Sequence, residues 1–220
     1  MGGTLRLASR PSRPTSVRLR TYWYVIEALD YFPYRFPDAQ RDPDELKGLL
    51  CKHPRFRDDL NSLTDRALIE RMKTIVHDLE GRRNQMRSRF EGRRVLQDAI
   101  ATRHRAVEFR RTGASRYDLF EKSIGEEKTV DVKLAVDLII LKDIYDIALI
   151  VSGDQDYVPA VQVAKDAGKQ VVNVAFKTRG GTLLPGGARR LNQTTDWSVE
   201  VSYEQFRHYL NLDREATTPD

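Results

Sequence analysis

The sequence predicts an α/β protein: a parallel sheet covered by helices on both faces, with a helical insertion. Three observations carry this expectation. Helix and strand patterns alternate after residue 105, apolar residues recur at helical spacing between residues 38 and 104, and 220 residues of 40% apolar content can bury one main core and hardly two.

Residues 1–20 hold Arg6, Arg10, Arg13, Arg18 and Arg20, two prolines and no acid, a composition that reads as a basic arm. "VRLRTYWYVIEAL" turns β-branched and aromatic, so a strand is expected over Thr21–Ile26, followed by a connection marked by Pro33 and Pro37. In the insertion, residues 38–104, "DPDELKGLL" has acids where a helix starts, and Leu68, Ile69, Met72, Ile75, Val76 and Leu79 form one apolar helix face. Further on, Arg82, Arg83, Arg87, Arg89, Arg93 and Arg94 face the lone acid Glu91, which reads as a basic patch or as a solvated helix face. "HRAVEFRRTG" is expected to be a strand closed by Gly113.

The regular part follows. "DVKLAVDLIILK" reads as a helix, "YDIALIVSG" as a strand, "VPAVQVAKDAG" as a helix with Pro159 early and Gly168 at its end, and "KQVVNVAF" as a strand. Such alternation implies parallel strands with crossover helices. Residues 201–220 are expected to form a C-terminal helix and tail.

Ligands of open parallel sheets sit outside the carboxyl ends of the strands, and Asp154 and Asp156 fall at that edge. Asp131 begins the preceding helix at the same rim, in a stripe with Leu134, Ala135 and Leu138. Each acid alone is explained by capping a turn or a first helical turn. Together they concentrate negative charge that folding does not need, and a hard divalent cation such as Mg2+ relieves it. Asp137, four residues after Lys133, reads as an ion pair.

Other chemistry finds no support. There is one cysteine, Cys51, so no internal disulfide; the four histidines lack ligand spacing; and no phosphate-binding glycine motif or nucleophile elbow occurs. No apolar run approaches a membrane span, so the expectation is a cytoplasmic protein with no membrane contact. The net charge of +5 suits a phosphate-bearing partner or an ordinary soluble protein, and Lys177, Arg179, Arg189 and Arg190 around a glycine-rich loop suit a phosphate backbone or a plain surface loop.

"EKTVDVKLAVDLI", "YDIALIVSGDQDYVPAVQVAKDAGKQVVNV" and "ARRLNQTTDW" resemble the NYN family of PIN-like nuclease domains over roughly residues 105–200. The family's pattern falls on Lys128, Asp131, Asp137, Ser152 to Asp156, Tyr157 in place of Phe, Leu191 and Asp196. The resemblance implies a three-layer α/β/α domain made of residues 21–37 and 105–200, and metal-dependent endonucleolytic cleavage of RNA with Mg2+ or Mn2+ on the clustered acids. The family normally opens with a strand ending in an Asp. Here nothing acidic precedes Glu27, and the resemblance implies a domain without that first strand, through a start assigned downstream or through loss of strand and ligand.

The expectation is therefore a Mg2+-dependent endoribonuclease. Asp131, Asp154 and Asp156 are the catalytic and metal residues, with Asp137 as a further candidate ligand. Lys128, Ser152, Arg179, Arg87, Arg89, Arg93 and Arg94 are expected to hold RNA. The alternative is an inactive RNA-binding or protein-interaction module on the same fold, and the helical insertion is a candidate surface for a homo-oligomer or a protein partner.

Overall fold

The computed structural model describes residues 17–125, 127, 129–184 and 188–209. Most of the basic arm, Lys128 and the last eleven residues of the tail therefore lie outside the described residues.

The chain enters β1 (Thr21–Phe32), twice the length expected from its β-branched start. Four helices follow: α1 (Phe36–Ala39), α2 (Pro43–Leu50), α3 (Pro54–Asn61) and α4 (Asp65–Arg103). Asp42 caps α2, its side chain accepting from the amides of Asp44 and Glu45. The 39 residues of α4 make a rod of about 60 Å. Its expected apolar face holds at Met72, Ile75 and Leu79, which pack with Phe36, Leu50, Phe56, Leu60, Tyr117 and Leu119 into one core.

The chain returns along β2 (Val107–Asp118), which pairs with β1 in parallel from Thr21 beside Val107 to Phe32 beside Asp118. Thus α4 belongs to the crossover between two parallel neighbours. Gly113 does not close the strand as its sequence suggested; β2 runs through it with φ at +67°. A short β3 (Ser123–Ile124) turns back antiparallel on β2.

The second half comprises α5 (Thr129–Ile140), β4 (Ile147–Ile150), α6 (Val158–Asp166), β5 (Gln170–Lys177), β6 (Leu183–Leu184), α7 (Ala188–Thr194), β7 (Trp197–Val201) and α8 (Tyr203–Tyr209). Here β5 takes β4 and β7 as parallel neighbours and β6 as a short antiparallel one. Leu138, Ile150, Tyr157, Val161, Val171 and Leu191 centre the second core.

The sequence anticipated one parallel sheet. The described strands form two, β1-β2-β3 and a second around β5, because β1 pairs only with β2 and β4 only with β5. The two units meet through α5, which touches β1 and β2 on one side and α6 on the other. Among the described residues no helix is long and apolar enough to cross a membrane.

Gly113 fixes where α5 begins. The Glu127 carboxylate accepts from the amides of Thr129 and Val130 at 2.7 and 2.9 Å, and a Cβ at Gly113 would collide with its Oε1 and lie 2.8 Å from Thr129 Cβ. Gly113→Ala should therefore cost more than the ~1–2 kcal/mol of left-handed backbone strain, since it also dislodges a helix cap. A urea titration checks this, and a loss below ~1 kcal/mol would show that Glu127 can move aside freely.

Candidate functional site

Three of the acids meet around one phenol. Strand β4 ends at Ile150, and the chain turns through Ser152, whose Oγ accepts from the amide of Asp154 at 3.1 Å. Asp154 in turn caps the single 3-10 turn Gln155–Tyr157, its Oδ1 accepting from the amide of Asp156 at 2.9 Å. That turn drives Tyr157 into the core, where its hydroxyl donates to Asp131 Oδ1 at 2.5 Å. Burial raises the Tyr157 phenol far above its ordinary value of 10.0, and the bond to Asp131 and the charges of Asp131, Asp154 and Asp156 add to that rise. Tyr157 is therefore the donor in this bond and holds Asp131 against the turn carrying the other two acids.

Asp137 is turned elsewhere. It is buried, with 3% of its side chain exposed, and pairs with Lys133 at 2.9 Å and, closely, with Arg110 of β2. Tyr24 of β1 is also hydrogen-bonded to it, and the Tyr24 phenol is raised by burial and by Asp137. Burial disfavours the Asp137 anion, yet the hydrogen bonds and charges of Lys133 and Arg110 outweigh it and hold the carboxyl below its ordinary value. The network extends outward: Glu108 takes Arg110 and Arg20, and the Tyr22 ring covers the Arg110 guanidinium at 3.9 Å. The ion pair read from the Lys133 and Asp137 spacing is present, and it is a buried one.

Asp196 is likewise structural: its Oδ2 accepts from the amide of Val171 and its Oδ1 pairs with Lys165. The Val171 bond chiefly holds its carboxyl low.

The basic residues divide. Arg110 points to Asp137 on α5, whereas the next residue, Arg111, points to Asp98 on α4. Since alternate strand residues face opposite sides, α4 and α5 cover opposite faces of the β1–β2 pair. Arg82 and Arg83 pack α4 down, the first on the carbonyls of Leu119 and Phe120, the second on the Tyr31 ring. Arg87, Arg89, Arg93 and Arg94 are exposed, and Arg87 lies 4.0 Å from Glu91. Arg179 is exposed beyond the carboxyl end of β5, the edge where Asp154 and Asp156 sit, while Lys177 is paired with Glu200.

Carboxylate oxygens are the donors that Mg2+ and Mn2+ take. Yet one oxygen of Asp131 is committed to Tyr157 and one of Asp154 to a backbone amide. Among the described residues no group of three or more His, Cys, Asp or Glu side chains could hold a metal ion. The described acids do not by themselves make a metal centre.

The residues missed by sequence reasoning are the supports. Tyr24 and Arg110 are signalled only by polar residues at alternate positions of two strands, "TYWY" and "VEFRR", whose pairing no local pattern reveals. Tyr157 was visible as a departure from Phe, but not as a partner of Asp131.

The fold is a mixed α/β one with acids at a strand end, consistent with a PIN-like domain, and comparison with known families agrees. The NYN domain model matches residues 60–184, more than half the chain, and the protein belongs to that family of the PIN-like nuclease superfamily. The match takes in α4 and leaves out β1 and β7. No curated protein and no solved structure matches the chain.

Arg110→Ala tests the network. It leaves the Asp137 anion with Lys133 as its one remaining cation among the described residues, and stability to urea should fall by about 3 kcal/mol at neutral pH. The sign with pH follows from the depressed carboxyl. Its contribution is complete above the ordinary value of 3.8 and is lost as the pH falls through the lower folded value. In Arg110→Ala that acid loss should be smaller and be complete at a higher pH; an acid limb identical to the parent's would place the depression elsewhere.

Proposed function

We propose that this protein is a Mg2+-dependent endoribonuclease that cleaves RNA phosphodiesters at the edge formed by Asp131, Asp154 and Asp156. The observation that carries the reading is their arrangement around Tyr157 in a member of the NYN family, whose superfamily is one of nucleases. Tyr157 orients Asp131, and the Ser152–Asp154 turn orients Asp156, so the acids are placed before any substrate arrives. Lys128, Ser152 and Arg179 hold the RNA backbone in this reading. Mg2+ or Mn2+ is its cofactor and the cytoplasm its setting; no step is assigned to the ion, because the described acids fall short of a closed site. Asp137, saturated by two cations and a phenol, is a structural residue and not a ligand.

The second reading, an RNA-binding module without catalysis, draws on the same bonds. Asp131 holding a tyrosine and Asp154 capping a turn are roles that folding alone can use.

Titration calorimetry with Mg2+ and with Mn2+ separates the two. The enzyme reading expects saturable binding that Asp154→Asn weakens at least tenfold, about 1.4 kcal/mol. It also expects cleavage of single-stranded RNA that Asp131→Asn abolishes with little change in melting temperature. Equal ion binding by Asp154→Asn and its parent rejects the ion site, and RNA binding without cleavage by any variant favours the module.

The α4 arginines form two pairs. At ~100° per residue, Arg87 and Arg94 share one flank of the helix and Arg89 and Arg93 another, roughly a third of a turn of rotation away. One RNA strand can engage one flank. Neutralising the engaged pair should flatten the salt dependence of binding by about 0.7 in log K per log salt for each lost contact, and neutralising the other pair should leave it unchanged. If neither pair alters the slope, α4 is a solvated helix.

A further inference from the structure

Among the described residues the second sheet has one dressed face and one largely bare face. Registers put Ile150, Asn173 and Ser198 on the side covered by α6 and α7, where Ile150, Val171, Asn173 and Ala175 are buried. The other side carries Ile147 and Leu149 from β4, Gln170, Val172, Val174 and Phe176 from β5, and Trp197, Val199 and Val201 from β7. No charged residue occurs among these nine. Among the described residues, Phe206 of α8 meets the Phe176 ring at 5.5 Å at one end of this side, and Val172, in register between Leu149 and Trp197, is buried at its centre. Ile147, Leu149, Val151, Trp197 and Val199 are left 45–68% exposed. A parallel sheet normally has both faces covered, and an exposed apolar patch this continuous marks an interface.

We propose that this bare face is the contact through which two copies of the chain associate about a two-fold axis, sheet against sheet. Two properties favour a second copy as the occupant. At on the order of 100 Å² for each exposed residue, the five bring roughly 500 Å² a copy, so two copies bury about the 1,000 Å² that a specific interface needs, before any rim is counted. The face also has no charge to repel its own image or to select a partner of opposite sign; the chain's net charge of +5 lies elsewhere. Aligned sheets pack about 10 Å apart with strands within ~30°, an arrangement open to a three-stranded surface rich in β-branched side chains. Trp197 is the anchor, a large ring exposed on an edge strand beside Val172. The inference concerns the sheet and not the helical segment where an oligomer surface was first expected, and it stands apart from the nuclease reading.

Sedimentation velocity on the full chain tests it, with concentration raised to about 100 μM, which populates a dimer whose dissociation constant lies at or below that value. A reversible dimer is expected, together with a blue shift of Trp197 emission on association in a Trp23→Phe background. Leu149→Asp and Val199→Asp should each weaken the dimer at least tenfold while far-ultraviolet circular dichroism stays unchanged. Leu149→Ser serves if the aspartate variant does not fold, and should weaken the dimer in the same direction. The proposal is overturned by a monomer throughout the range, by a dimer that none of the folded substitutions weakens, or by association that leaves Trp197 emission unmoved.

Discussion

The structure hangs on a buried carboxylate. Taking Asp137 out of water costs several kcal/mol unless cations meet it, and the two that do come from different elements: Lys133 from its own helix and Arg110 from β2. Tyr24 closes the third side. These partners set both the rotation of α5 and its depth on the β1–β2 pair. With that rotation fixed, Asp131, six residues earlier and on another side of the helix, faces the second unit, where Tyr157 receives it. One helix thus uses one acid to grip each sheet, and Glu127, lodged against the bare Cα of Gly113, determines where that helix starts.

The candidate site inherits its order from this arrangement. Asp131 would swing if α5 rotated, and Asp154 and Asp156 would drift if Tyr157 left the core, so the acid cluster is only as rigid as contacts made away from it. The tyrosine hydroxyl matters in both directions. It fixes Asp131, and it also occupies an oxygen that an ion would otherwise take. The site therefore offers a shaped edge with part of its donor capacity already committed to folding.

Much of this was legible in the chain. Alternation of period revealed the parallel strands and their crossover helices, the Pro159 and Gly168 signals bracketed α6, and the 133–137 spacing gave its ion pair. What stayed hidden is tertiary. Local pattern shows that strands are parallel but not which ones are neighbours, so the split into two sheets could not be read. Gly113 looked like a strand end because a glycine usually interrupts one; it is instead required where Glu127 comes too close for a side chain. The length of α4 was obscured as well. Its apolar stripe weakens after Leu79, and beyond Met86 the helix continues with arginine on both flanks, where helix propensity rather than burial sustains it.

The alternation at Arg110 and Arg111 has a consequence for any phosphate chain this protein meets. Neighbouring residues of β2 bind α5 and α4 on opposite faces, so the acids on the α5 side and the arginines of α4 are separated by the thickness of the sheet as well as by side chains. A nucleic acid touching both must pass around an edge of the β1–β2 pair. Arg179 faces no such obstacle, since β5 runs parallel to β4 and delivers it beyond the same strand ends as Asp154 and Asp156. The topology therefore places the exposed Arg179 on the loop after β5, beyond the same strand ends as the acids, and it leaves α4 as a separate surface whose contacts, if made, contribute affinity from the other face of the β1–β2 pair.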